Sequence, residues 1–235
     1  MEREFALIVA GGKGTRFGSA HPKQFMELNG KPIILHTIDA FFRYSDEITV
    51  VLVLPEQDQI LWEEICDRHH YRKPLIIQTG GLTRFQSVRN GLKLIGDGFV
   101  AIHDGVRPLI GTDIIAASFR QARLHQCAVA AVGLKESIRV IADASDYPLA
   151  TDRPRSKAVD RTKYKLIQTP QTFSTALIKQ AYAVQEDTVL TDDASVAERA
   201  GFPIHLFEGS YSNIKITTPE DLVVAEAILA HRGGV

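Results

Sequence analysis

Short apolar runs alternate along the chain with longer stretches in which apolar residues recur every three or four positions. The runs FALIVA (5–10), ITVVLVL (48–54), PLIIQT (74–79), FVAIHD (99–104) and CAVAAVGL (127–134) are nearly continuous in aliphatic and β-branched residues. Strands of this kind suit a parallel sheet covered on both faces, where neither side turns polar. Between them the spacing predicts helices over 32–44, 56–71, 83–96 and 112–126. In the third, Phe85, Val88, Leu92 and Ile95 share one face. TRFQ at its start predicts a capping box, with Thr83 as N-cap and Gln86 as its partner. Near the C-terminus, TTPEDL puts Thr218 at an N-cap, Pro219 at the first helical position and acids in the first turn. The alternation predicts an α/β fold: a Rossmann-like, doubly wound, mostly parallel sheet with helices on both faces. Ligands then belong at the carboxyl ends of the strands.

One segment breaks the rhythm. From Lys135 to Tyr164 the chain is polar and turn-rich, with short apolar flanks such as SIRVI and KAVDR. A structureless loop of that length is unusual inside a compact domain, so a projecting β-hairpin arm is expected at about 135–164. An isolated two-stranded arm is marginal in water and needs something to pack on, which predicts a homodimer. The remainder reads as a single domain over 1–235.

Composition adds exclusions. A chain of 235 residues, 45% hydrophobic and 23% charged, is long enough for a full core and has the balance of a soluble globular protein. Its net charge of −1 supplies no general field for nucleic acid, so any anion site must be built locally. No apolar run approaches membrane-spanning length, and the N-terminal one is too short for a signal peptide. Cys66 and Cys127 have no metal-ligand spacing and are expected as reduced, partly buried thiols of a cytoplasmic protein.

Candidate chemistry begins directly after the first strand, in AGGKGTRFGSAHPKQF (10–25). A P-loop would require G-x-x-x-x-G-K-[ST], which does not occur. A dinucleotide fingerprint started at Gly12 and Gly14 meets Phe17 where its third glycine belongs, and no acid ends a second strand at the required distance. What remains is a longer glycine loop with Lys13, Arg16 and Lys23. A triphosphate carries about four negative charges and a bound pyrophosphate bridge about two, so three cations beside backbone N–H groups fit the triphosphate better. A merely solvated basic loop would leave the glycines unexplained.

With GGLTRFQSVRNGL (80–92), IHDGVRP (102–108), TPQTF (169–173) and NIKITTPEDL (213–222), this loop resembles the nucleotidyltransferase signature of 2-C-methyl-D-erythritol 4-phosphate cytidylyltransferases. The likeness runs through nearly the whole chain in the family's order. It implies CMP transfer from CTP to a polyol phosphate with release of pyrophosphate, part of non-mevalonate isoprenoid synthesis. It also implies Mg²⁺, or another divalent cation, held mainly by the CTP phosphates. Arg16, Lys23 and Lys215 are then the catalytic cations, with Gly12 and Gly14 at the phosphates. Backbone groups of Ala10, Gly11 and Gly81, with the Ser87 hydroxyl, would read the cytosine. Asp104, which the resemblance also places at the CTP site, would hold the second substrate with Arg107, Thr169 and Thr191, with Ser137 and Arg161 reaching in from the partner's arm.

Each assignment has a plainer counterpart. Taken alone, Lys215 reads as an exposed lysine on an edge strand, Asp104 as a turn former, Arg84 as a surface helix residue and Thr191 as an N-cap. Asp104 could also touch the metal, although the resemblance favours a substrate hydroxyl. AGG and the valine of HDGVRP also occur in ribitol-5-phosphate cytidylyltransferases, so ribitol 5-phosphate stays open as acceptor. A non-catalytic nucleotide-binding protein on the same scaffold is the remaining alternative, opposed by the presence of both Lys23 and Lys215.

Overall fold

The structure, a computed structural model, describes residues 2–11, 22–141 and 156–233. Gly12, Lys13, Gly14 and Arg16 lie outside the described residues, as does the arm from 142 to 155.

The predicted strands form as β1 (Glu4–Val9), β4 (Thr49–Leu54), β5 (Leu75–Thr79), β6 (Phe99–Asp104) and β7 (Cys127–Gly133). Two-residue strands β2 (Glu27–Leu28) and β3 (Lys31–Pro32) make a small separate ladder after the glycine loop. The predicted helices form as α1 (Ile33–Tyr44), α2 (Gln59–Arg68), α3 (Arg84–Leu92) and α4 (Thr112–His125). A 3-10 turn, Glu56–Asp58, occupies the start of the stretch read as one helix over 56–71.

After β7 the chain enters the arm, whose base is the antiparallel pair β8 (Arg139–Ile141) and β9 (Ser156–Ala158), and returns as β10 (Lys165–Ser174). Helices α5 (Thr175–Ala181) and α6 (Asp193–Arg199), strand β11 (Leu206–Glu208) and helix α7 (Pro219–Gly233) complete it. The seven-stranded sheet runs β11-β7-β10-β6-β1-β4-β5. Of these strands β10 alone is reversed, pairing antiparallel with both β6 and β7.

Alternate residues of the buried strands feed two cores. Ala6, Ile8, Val50, Leu52 and Ala101 pack under α1, α2 and α4, around Phe41 and Phe119. Leu7, Val9, Val51, Val53, Val100 and Ile102 face the other way, against Phe85, Val88, Leu92 and Ile178. Removing each valine, leucine, isoleucine or phenylalanine side chain of this set from water contributes roughly 1.5–3 kcal/mol, and each alanine less. Helices therefore cover both faces, as expected. A third cluster holds α7 against Leu28, Ile33, Val106 and Leu109.

The caps differ in detail from their sequence signatures. Thr83 does cap α3, accepting from Gln86 N at 3.1 Å. The Gln86 side chain, however, takes the Leu82 N–H one residue earlier, so the box is only half closed. At α7, Asp221 Oδ2 reaches back to the N–H groups of Thr217 and Thr218. Cys66 is half-buried and Cys127 buried, and neither is in a disulfide. Among the described residues no helix is long and apolar enough to cross a membrane.

Candidate active site

Strands β1, β4, β5 and β6 all end on one edge of the sheet, and their ladder extends into the following loops. Ala10 N donates to Val53 O, Gly80 N to Leu54 O and Gly105 N to Val9 O, at 2.8–3.0 Å. This knits the start of the glycine loop, the Gly80–Gly81 turn and the HDGVRP turn into one surface. At Gly81 a Cβ would stand 2.3 Å from Gln86 Cβ, so only glycine lets this turn sit so close to the start of α3. Ser87 fastens it: its buried hydroxyl accepts from Gly81 N at 3.0 Å and donates to Thr83 O at 2.9 Å. The Ala10 carbonyl accepts from Gln24 Nε2 at 2.9 Å. Lys23 starts the 3-10 turn Lys23–Phe25, half-buried beside the same loop.

Beside this surface opens a cavity of about 310 Å³ whose lining includes Arg84, Asp104, Arg107, Thr169, Thr191 and Lys215. Asp104, the last residue of β6, stands at its centre. Its Oδ2 lies 2.9 Å from Lys215 Nζ and 3.4 Å from Arg107 Nε, and its Oδ1 lies 3.7 Å from Arg84 Nε. Burial would raise the pKa of this carboxyl, but Arg84, Lys215 and Arg107 together outweigh it and hold it well below the usual carboxylate range.

Each cation is braced by a different element. Arg107 also donates to Asn213 O at 2.9 Å. Arg84 makes a two-pronged ion pair with the buried Asp193 of α6, at 2.9 and 2.7 Å, and Tyr182 donates to the same carboxylate at 2.6 Å. Arg84 is therefore no plain surface residue: as the first residue of α3 it points along the sheet edge, where both acids wait. Lys215, expected at a strand end, sits instead in an irregular stretch before α7. The neighbouring Ile216 N–H bonds Val106 O, which anchors the segment without forming a ladder.

The reversed strand supplies the opposite wall. Between Ile167 and Gln171 its register with β7 shifts, and Gln168, Thr169 and Gln171 turn toward the cavity. Gln171 clamps the start of α6, donating to Asp192 Oδ2 and accepting from Ala194 N, each at 2.8 Å. Asp192, not Thr191, is the N-cap there, in a reciprocal box with Ser195. Thr191 is left at the cavity edge with no capping duty. Ser137 and Arg161 are exposed at the arm base and do not line the cavity of their own chain. Arg161 bonds the Lys135 carbonyl.

The sequence model of the IspD family, 2-C-methyl-D-erythritol 4-phosphate cytidylyltransferase, matches residues 5–231. The chain belongs to this cytidylyltransferase family. A member from Bacteroides thetaiotaomicron is 43% identical over 228 residues, spanning 97% of this chain and all of that protein. One from Bacteroides fragilis is 44% identical over 225 residues, 95% of this chain and 98% of the relative. The crystal structure of 4-diphosphocytidyl-2C-methyl-D-erythritol synthase from Anaerococcus prevotii has a TM-score of 0.78 at 27% identity, covering 97% of this chain and 96% of that one. The Thermus thermophilus cytidylyltransferase gives 0.73 at 27%, covering 98% and 100%.

Among the described residues no three His, Cys, Asp or Glu side chains come together as a metal centre. Asp104 is already shared by three cations. The described side chains therefore do not form a cage for a resident Mg²⁺.

Sequence reasoning missed Gln168, Gln171, Asp192 and Asp193 as parts of this site. The first two lie in or beside TPQTF and the acids in TDDAS, motifs whose side-chain directions are set by the register shift and by the α6 cap.

Proposed function

We propose that the Asp104 cavity and the adjoining glycine-loop surface are where CTP and 2-C-methyl-D-erythritol 4-phosphate react. Family membership supplies the reaction, CTP-dependent synthesis of 4-diphosphocytidyl-2-C-methyl-D-erythritol by a nucleotidyltransferase. The observation that carries the site assignment is the convergence of Arg84, Arg107 and Lys215 on one carboxylate at the carboxyl edge of the sheet.

The substrate phosphate has its second pKa at about 6, so at neutral pH it is already a nucleophilic dianion. One of its oxygens attacks the α-phosphorus of CTP in line; the new P–O bond forms as the bond to the β-phosphate oxygen breaks, and pyrophosphate leaves. No proton has to be removed first, so the site needs cations and alignment rather than a general base. Lys215, half-exposed at the mouth and paired with Asp104 at 2.9 Å, exchanges that partner for the α-phosphate as charge builds there. Asp104, freed from Lys215, receives hydroxyls of the polyol. Arg107, Thr169 and Thr191 complete the hold on that substrate. Ala10, Gly11, Gly81 and Ser87 read the cytosine, and Gly12, Gly14, Arg16 and Lys23 hold the β- and γ-phosphates.

The cavity lining alone is nearly balanced, three cations against Asp104 and Asp192 with Asp193 behind. Positive charge for two phosphorylated substrates must come from outside it. The glycine loop is one source, and Mg²⁺ entering as the counter-ion of CTP is another. The third is Arg161, brought with Ser137 on the arm of a second copy. Support for that dimer comes from the arm base, where Val140, Ile141, Tyr164, Leu166 and Ile167 are exposed apolar side chains on the described chain.

Pyrophosphate release from CTP is the test, with 2-C-methyl-D-erythritol 4-phosphate and ribitol 5-phosphate as competing acceptors. Turnover is expected with the first and at most weakly with the second, and with CTP far above UTP. Equal use of UTP would remove the cytosine assignment, and preference for ribitol 5-phosphate would reassign the acceptor.

A further inference from the structure

His103 precedes Asp104 on β6, is fully buried, and takes no part in the chemistry above. Its two ring nitrogens have different neighbours: Nε2 lies 3.3 Å from the Arg107 carbonyl oxygen and Nδ1 lies 3.0 Å from Thr169 Oγ1. A carbonyl only accepts, so Nε2 carries a proton. Burial, against the edge of the Phe41 ring, holds the imidazole down to about 4 despite the nearby Asp104, so at neutral pH the ring has that one proton and Nδ1 is bare. A bare nitrogen only accepts, so the Thr169 hydroxyl proton points at it. The Asp104 N–H donates to the same hydroxyl at 3.1 Å and occupies one lone pair. The hydroxyl of Thr169, a cavity-lining residue, thus has one lone pair left and no proton to give.

We infer that His103 is a positioning residue that fixes the Thr169 hydroxyl as a hydrogen-bond acceptor, so that the polyol substrate meets it through a hydroxyl and not through a phosphate oxygen. This rests on the reading above that the polyol phosphate binds at Thr169. An unconstrained threonine would rotate its proton to suit either end of such a molecule. The constrained one repels the phosphate dianion, which has only lone pairs to offer, and accepts from an alcohol. Specificity by penalising the wrong end needs no extra contact with the right one. The substrate is thereby oriented, alcohol toward β10 and phosphate toward Lys215.

Nitrogen NMR of enzyme labelled at histidine reads the tautomer directly. A protonated Nε2 and a bare Nδ1 for His103 at neutral pH are expected, and a protonated Nδ1 overturns the inference. Kinetics provide the second arm. His103→Leu should raise the KM for the polyol phosphate roughly three- to tenfold, the scale of one hydrogen bond, with the KM for CTP unmoved. His103→Asn, which keeps an acceptor near the Nδ1 position, should restore most of the loss. In a Thr169→Val background His103→Leu should add nothing further. Equal losses in both backgrounds, or a loss shared by the KM for CTP, overturn the inference alone. An unchanged acceptor KM for Thr169→Val removes the subsite reading and the inference together.

Discussion

At the scale of single residues, Asp104 is where burial and charge oppose one another most sharply. Its carboxyl is held below the value of about 3.9 that it has in an unfolded chain. A group with a depressed native pKa stabilises the fold fully above its unfolded value, and loses that contribution as pH falls through its folded one. Asp104→Asn should therefore cost about 3 kcal/mol in urea unfolding at pH 7, because buried Arg107 loses its counter-charge. The gap between the two proteins should narrow below about pH 4; a gap that stays constant down to pH 3 would show that Asp104 is not the titrating group. Lys215 calls for a kinetic measurement. Since its proposed contact strengthens only in the transition state, Lys215→Ala should lower kcat by about a hundredfold or more and leave the KM for CTP within a few-fold. Near-normal kcat would return it to being an exposed surface lysine. Neither residue's role was legible from local pattern. Asp104 could be placed because it ends an apolar strand, whereas Lys215 lies in a stretch without periodicity and its role is proposed only through family likeness.

At the scale of elements, what the sequence showed and what it hid divide by burial pattern. β1, β4, β6 and β7 announce themselves because both of their faces are apolar. β10 does not, since KLIQTPQTFS carries glutamines, threonines and a proline through the middle of the sheet. Its polar side chains are buried yet hydrogen-bonded: Gln171 to the start of α6, Thr172 to Ser118, and Gln168 to the Ser210 backbone. Three-residue β11 is too short for any period to show. Helix α3 offers the clearest test of an element's seating. A Cβ at Gly91 would come within 2.4 Å of Leu7 Cδ1 and 3.0 Å of Val53 Cγ2, both on fully packed strands. Alanine gains about 1 kcal/mol in helix propensity, but overpacking costs about 1–3 kcal/mol. Gly91→Ala should thus lower the stability read from urea unfolding by about 1 kcal/mol net. Because α3 also carries Ser87 and Arg84, the KM for CTP should rise with it. A stabilised variant would mean that Leu7 has room to turn away.

At the scale of the whole molecule, the arm decides whether one chain makes a complete site. If Lys215 and the partner's Arg161 share each site, Lys215→Ala and Arg161→Ala homodimers should both be nearly inactive. Mixing and re-associating them gives heterodimers with one doubly damaged site and one intact site. Random pairing makes about half the dimers mixed, so activity should recover to roughly a quarter of that of the unaltered enzyme. No recovery would place both residues in sites built from one chain. The arm was legible as a break in the β/α rhythm, and its base is the β8–β9 pair, but nothing in the pattern of one chain says what it embraces. A different lesson comes from the slip in β10. From Ile167 to Gln171 that strand advances four residues while β7 advances two, from Ala131 to Val129. Two is also the repeat of side-chain direction along a strand, so Phe173 beyond the slip still points into the core. The core cannot register the extra pair. A chain shortened by two residues within 168–170 would zip straight through, keep its hydrophobic faces and lose its pocket wall.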